Sequence, residues 1–130
     1  MGHSTAVSCA ECGTKFMVDE GGGASFHLVR CGDCGKAIEI PFQQVGEARL
    51  RFIKGLEAPF SVATSDEYRW VREHYSGDPL SEKDYRVEVE RIAGGCECGG
   101  AYGFDAPPRC PRCSSAEIKL DPDKLQVAYD

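Results

Sequence analysis

The first forty residues alternate between apolar and polar positions in short bursts. Phe16 and Val18 recur two apart, as do Phe26 and Leu28, and then Ile38 and Ile40, the period of half-buried β-strands. Gly21-Gly22-Gly23 separates the first two bursts as a turn, and Pro41 ends the third. Residues 43–63 follow neither a two-residue nor a helical period, although Val45, Leu50, Phe52, Ile53 and Leu56 are apolar. A helix then opens at Thr64 or Ser65, either of which can cap it, with Asp66 and Glu67 in the first turn where negative charge suits the helix dipole. Tyr68, Val71 and Tyr75 share one face of it, and Trp70 and His74 form a neighbouring pair one turn apart. Ser76-Gly77-Asp78-Pro79 is expected to stop the helix at about residue 76.

Ser81 and Asp84 have the spacing of a helix cap. Tyr85, Val87 and Val89, however, alternate with Arg86, Glu88 and Glu90, so the pattern predicts a turn over 81–84 and a strand over 85–92. Tyr102 and Phe104 predict a further short strand, Ser115–Leu120 a closing one, and Leu125–Tyr129 one more.

Eight cysteines punctuate these elements. Cys9-Ala10-Glu11-Cys12 and Cys31-Gly32-Asp33-Cys34 are C-x-x-C pairs separated by eighteen residues, a length that fits one β-hairpin. A C-x-x-C turn sets two sulfurs on one side of a tight loop, and two such loops can surround a zinc ion with a tetrahedron of thiolates at about 2.3 Å. Gly13 and Gly35 follow the pairs, where a sharp turn favours a residue that accepts positive φ. The second set is Cys96-Glu97-Cys98 and Cys110-Pro111-Arg112-Cys113, with eleven residues between. Its C-x-C is one residue short, so Glu97 or Asp105 is a candidate to complete coordination if a sulfur cannot reach. Taken sequentially, Cys9, Cys12, Cys31 and Cys34 are expected to bind one zinc ion and Cys96, Cys98, Cys110 and Cys113 another. Knuckles 61 residues apart would have to meet otherwise, against loop-closure entropy. A fragment of residues 84–130 is then expected to bind one metal ion by itself.

The run Cys9-x-x-Cys12-Gly13-Thr14-Lys15-Phe16-x-Val18, followed by Val29-Arg30-Cys31-x-x-Cys34-Gly35, resembles the short N-terminal zinc-ribbon module of many bacterial proteins. That module reads roughly C-P-x-C-G-T-x-F-x-V, then V-R-C-x-x-C-G-x-x-F. Ala10 replaces the usual proline and Ala37-Ile38 the aromatic that often ends the module; the ligand positions are untouched. The resemblance spans about a third of the chain and implies a fold and a zinc site, not an activity. The C-terminal half resembles a rubredoxin-like ribbon, which makes iron and electron transfer the alternative to zinc.

Composition narrows the functions. A hydrophobic fraction of 42% and a charged fraction of 28% fit a globular chain, and no apolar run approaches the roughly 18 residues of a membrane span. The start of the chain lacks the charged and apolar regions of a signal peptide, and residues 1–5, which resemble a cloning remnant, are left out of the fold expectation. Reduced thiols in the cytoplasm are therefore expected over four disulfides in a secreted protein. The formal charge is −6, spread as −2 over each of 1–44, 45–95 and 96–130, and eight thiolates on two divalent ions would take it to about −10. A general phosphate-binding face is not expected on such a chain. Its candidates are Arg49, Arg51 and Lys54 in the middle, and Arg109, Arg112, Lys119 and Lys124 beside Glu97, Asp105, Glu117, Asp121, Asp123 and Asp130.

An enzyme is disfavoured as well. No glycine-rich phosphate loop, G-x-S-x-G or H-E-x-x-H occurs. His27 precedes Cys31 by four residues, but Cys31 is better explained as a metal ligand; His74 is remote in sequence from every cysteine, and His3 lies in the excluded residues. Thiol–disulfide exchange would want a βαβ setting that the pattern does not offer. The expectation is thus a small, zinc-dependent α+β protein. A ribbon at 6–42 and a rubredoxin-like ribbon at 85–130 flank a mixed segment, 43–84, with at least one helix. Two structural zinc ions and a protein partner are expected, with no membrane contact; a nucleic-acid-binding ribbon is the remaining alternative.

Overall fold

The computed structural model describes residues 2–23, 25–57, 63–120 and 126–129. Leu125, Lys124, Asp121, Asp123 and Asp130, which figured in the sequence expectations, lie outside them. Among these described residues the architecture is a small α+β fold with two antiparallel sheets and four helices.

The predicted hairpin strands form, but not as one ribbon. β1 (Gly2–Cys9) and β2 (Lys15–Glu20) make one hairpin, closed around the Cys9–Cys12 turn, with Val7 opposite Phe16. β3 (Phe26–Cys31) and β4 (Ala37–Pro41) make a second, closed around Cys31–Cys34, with Val29 opposite Ile38. The set-aside residues 2–5 therefore belong to the fold: β1 is the central strand of the first sheet. Its second edge takes β6 (Ile118–Leu120) opposite Val7–Cys9 and β7 (Gln126–Tyr129) opposite Gly2–Thr5. In the second sheet β3 is central, and β5 (Tyr102–Gly103) pairs with its end at Arg30 and Cys31.

Between β4 and β5 run α1 (Phe42–Val45), α2 (Glu47–Gly55), α3 (Ser65–His74) and α4 (Glu82–Ala93). The Thr64 hydroxyl caps α3 by accepting from the Glu67 N–H at 3.2 Å, and α3 ends at His74, two residues before the expected stop. The strand expected over 85–92 is instead α4. Ser81 caps it by accepting from the Asp84 N–H at 3.1 Å, the arrangement its spacing allowed. Helical geometry puts Tyr85 and Val89 on one buried face, one turn apart, and leaves Val87 57% exposed. A strand would have buried all three together.

That face of α4 covers the second sheet. Val29, Ile40, Val45, Tyr85, Val89 and Tyr102 form the main core, and Cys31 and Cys96 are part of it. A second, smaller core joins α2 to α3 through Ile53 and Val71. The basic residues of α2, named above as phosphate-binding candidates, work beside this junction. Arg49 makes a two-pronged contact with the Glu67 carboxylate (3.0 and 2.5 Å), Arg51 donates to the Asp78 carbonyl at 3.0 Å, and Lys54 donates to the Tyr75 carbonyl at 2.6 Å.

Candidate metal centres

Four knuckles are built on one hydrogen-bond scheme. In the Cys9, Cys31 and Cys110 knuckles the first cysteine's N–H donates to the carbonyl five residues on, and its own carbonyl accepts from the N–H four residues on. The first of these bonds are 2.9, 2.8 and 2.9 Å, to Thr14, Lys36 and Ser115; the second are 2.9, 3.0 and 2.9 Å, from Gly13, Gly35 and Ser114. The residue four past the cysteine has positive φ: Gly13 at 77°, Gly35 at 79° and Ser114 at 63°. The C-x-C turn keeps the same pair of bonds in a loop shortened by one residue. The Cys96 N–H donates to Gly100 at 2.8 Å and its carbonyl accepts from Gly99, whose φ is 96°.

All eight cysteines are free thiols, and they gather into two groups of four. The pairing is not sequential. Cys9 and Cys12 meet Cys110 and Cys113, whereas Cys31 and Cys34 meet Cys96 and Cys98. The second group is nested inside the first along the chain. Strand pairing explains the choice: β6, which follows the Cys110 knuckle, hydrogen-bonds to β1, and β5, which follows the Cys96 knuckle, hydrogen-bonds to β3. Each C-terminal knuckle thus arrives beside the hairpin to which its own strand is attached. Both Cys96 and Cys98 reach their group, so neither Glu97 nor Asp105 is needed as a ligand; Asp105 instead faces Arg86 at 3.4 Å.

The geometry fits a tetrahedral ion. Within each group all four sulfurs lie within 4.8 Å of one another. Cys9–Cys113 and Cys12–Cys110 are 3.6 and 3.5 Å apart, and Cys31–Cys98 and Cys34–Cys96 are 3.5 and 3.6 Å apart. A metal–sulfur distance of about 2.3 Å requires tetrahedron edges of about 3.8 Å. Cys9, Cys110, Cys31 and Cys96 are buried, whereas Cys12, Cys113 and Cys98 are exposed. Backbone N–H groups of Asp33 and Arg112 point at the sulfurs of Cys31 and Cys110, each at 3.4 Å.

Protons on the sulfurs are distributed unevenly. Hydrogen bonds from the Thr14 hydroxyl and backbone pull the Cys12 thiol down to about 6, and the Cys98 N–H with the Tyr102 hydroxyl brings Cys96 to about 6. The Gly100 N–H favours the Cys98 thiolate and the Ser115 N–H that of Cys113, but contacts with the other sulfurs of their groups push both up to about 12. Four crowded sulfurs cannot all ionise without a counter-charge, and a divalent ion at the centre would supply it. Closed coordination by four cysteines leaves no open position for a substrate.

The other candidates fall elsewhere. His27 joins neither group: its Nε2 lies 2.6 Å from the Tyr85 hydroxyl, among the rings of Phe42, Tyr85 and Phe104. Burial, with the Arg49 charge nearby, lowers its pKa to about 4, as expected of a packed neutral imidazole. His74 stacks on Trp70 at 5.3 Å on α3, and Trp70 is 55% exposed. Sequence reasoning named Arg30 only within the Val29-Arg30-Cys31 run and Arg109 only as a candidate phosphate contact, and it missed the structural role of each. Arg30 donates to the Ala106 carbonyl at 3.2 Å and also to that of Asp19 on β2, tying the two sheets together.

Fold and site together define a small α+β protein with two nested four-cysteine groups, each able to hold a metal ion. The chain belongs to the family described as a domain of unknown function (DUF8255), which matches residues 5–119. No curated protein and no solved structure matches it. Among the described residues no helix is long and apolar enough to cross a membrane.

Proposed function

We propose that this is a zinc protein of the cytoplasm in which two ribbon-like four-cysteine sites hold the fold, and that it acts as a protein-interaction or regulatory module. The observation that carries this reading is the gathering of eight free thiols into two closed groups of tetrahedral size. Structural zinc contributes roughly 10–16 kcal/mol in small finger peptides, as much as a whole domain's stability. The strands hung on these knuckles are only two to eight residues long, so they depend on such a clamp. A free thiol pool of this size calls for a reducing compartment. Support for a protein partner comes from Trp70 and Val87, large apolar side chains exposed on α3 and α4. Nucleic acid is disfavoured because Arg49, Arg51, Lys54 and Arg109 are committed to internal acceptors.

Metal analysis with absorbance, on protein purified without chelator, tests the reading. Two zinc ions per chain and no visible band are expected, with loss of both sheets on chelation. A red, iron-loaded protein would replace this reading with electron transfer, for which the N–H contacts to Cys31 and Cys110 are the kind that tune a thiolate-bound iron.

A further inference from the structure

Arg109 stands between the two cysteine groups. It precedes Cys110 of the outer group, and its Nε donates at 2.9 Å to the carbonyl of Gly32, the residue after Cys31 of the inner group. The same guanidinium donates through Nη1 to the Ser114 carbonyl at 3.1 Å, just past Cys113. Its stem occupies the space a side chain at Gly35 would need: a Cβ there would come within 2.7 Å of the Arg109 Cβ and 3.0 Å of its backbone N. The Gly32 N–H is held in turn by the Ala101 carbonyl at 3.0 Å, beyond Cys98. The knuckles of one group are therefore seated on those of the other through a single forked side chain.

We infer that Arg109 is the positioning residue that couples the two metal sites, so that an ion in either raises the affinity of the other. This rests on the reading that both groups hold metal. Chain topology supplies part of the coupling. With the inner group open, closing the outer one joins pairs 97 residues apart. With the inner group closed, the free path shrinks to the 18 residues after Cys12 and the 11 after Cys98, which eases closure about sixfold. By linkage the same factor acts in reverse. Arg109 adds to it, because its two carbonyl acceptors belong to knuckles that are both fixed only when both groups are closed.

The test uses full-length, reduced protein stripped of metal, titrated with cobalt(II) against a competing chelator and read by thiolate-to-cobalt absorbance. Cys110→Ser/Cys113→Ser reports the inner site alone and Cys96→Ser/Cys98→Ser the outer site alone. The product of the two native affinities, divided by the product of the two isolated ones, is the coupling. A coupling well beyond sixfold is expected, falling to about sixfold in Arg109→Ala. Arg109→Lys keeps the stem and the charge but lacks the fork. It should lower the coupling while leaving the inner site of the Cys110→Ser/Cys113→Ser chain unchanged. The inference is overturned if native coupling does not exceed sixfold, if Arg109→Ala leaves it intact, or if Arg109→Lys weakens the isolated inner site as much as the coupled one. Failure of the native chain to bind cobalt at all would instead remove the metal reading beneath it.

Discussion

Gly100→Ala should weaken the inner cysteine group directly, and the outer one only through the coupling between the two. A Cβ at residue 100 would lie 2.6 Å from Cys31 Sγ and 3.0 Å from both Cβ and Cγ of Asp33. An ordinary carbon–sulfur contact is close to the sum of van der Waals radii, so the overlap approaches about 1 Å. Neither side can yield cheaply. Cys31 is fully buried and its sulfur accepts from the Asp33 N–H. The Gly100 carbonyl is held by the Cys96 N–H at 2.8 Å, and next to it the Ala101 carbonyl is held by Gly32. Overpacking of this kind costs about 1–3 kcal/mol, and if the displaced atom is a metal ligand the inner-site affinity should fall by roughly fivefold to 150-fold. Gly95→Ala is the control: it is the same change at the base of the same loop, its nearest contact would be an ordinary 3.9 Å, and it should be close to neutral. Site-resolved metal competition and thermal melting measure both variants. Native inner-site affinity in Gly100→Ala would refute the packing argument and, with it, the place of Cys31 in that group.

Ser114 holds the positive φ that glycine holds in the other knuckles. Ser114→Gly should therefore stabilise the metal-bound protein slightly, by up to about 1 kcal/mol, read as a higher melting temperature; a lower one would refute it. The depressed His27 pKa gives a pH dependence of definite sign. The imidazole is neutral in the fold down to about 4 but protonates near 6.5 when unfolded, so its contribution is present above pH 6.5 and is lost as pH falls from 6.5 toward 4. The lost stability is at most about 3 kcal/mol, and the difference in unfolding free energy between native and His27→Gln protein should shrink over that window. At about 150 mM salt the protein should not bind DNA or RNA; a micromolar, salt-sensitive anisotropy change would contradict that expectation.

How far the fold could be read in advance depended on the range of each interaction. The hairpins and knuckles were legible because their signals are local: Phe16 with Val18, Ile38 with Ile40, and a glycine after Cys12 and Cys34. The Cys9–Cys110 partnership was not, because chain distance is a weak guide. Closing 97 residues rather than 18 costs only about 1.5 kcal/mol more, and a strand pairing such as β1 with β6 readily offsets that. The α4 error has a different origin. Tyr85, Val87 and Val89 satisfy a two-residue period, and only the burial of Tyr85 and Val89 without Val87 shows that the four-residue spacing governs. The Ser81 cap was the local clue that pointed to a helix. Arg109 was visible only as one of several basic residues near a knuckle; what it does follows from where two distant knuckles meet.

Nesting also decides how the molecule would answer mechanical force. Residues 2 and 129 are opposed across β1 and β7, so a pull on the two ends begins by unzipping that pair one rung at a time. The load next meets β6 and then the outer cysteine cluster, which lies in series ahead of everything between residues 13 and 109. Until that clasp opens, the covalent path between the two ends bypasses the helices and the inner cluster. With an ion in each group, the outer one is thus a strain relief for the rest of the chain, and rupture should come in two separate events, with the inner group last.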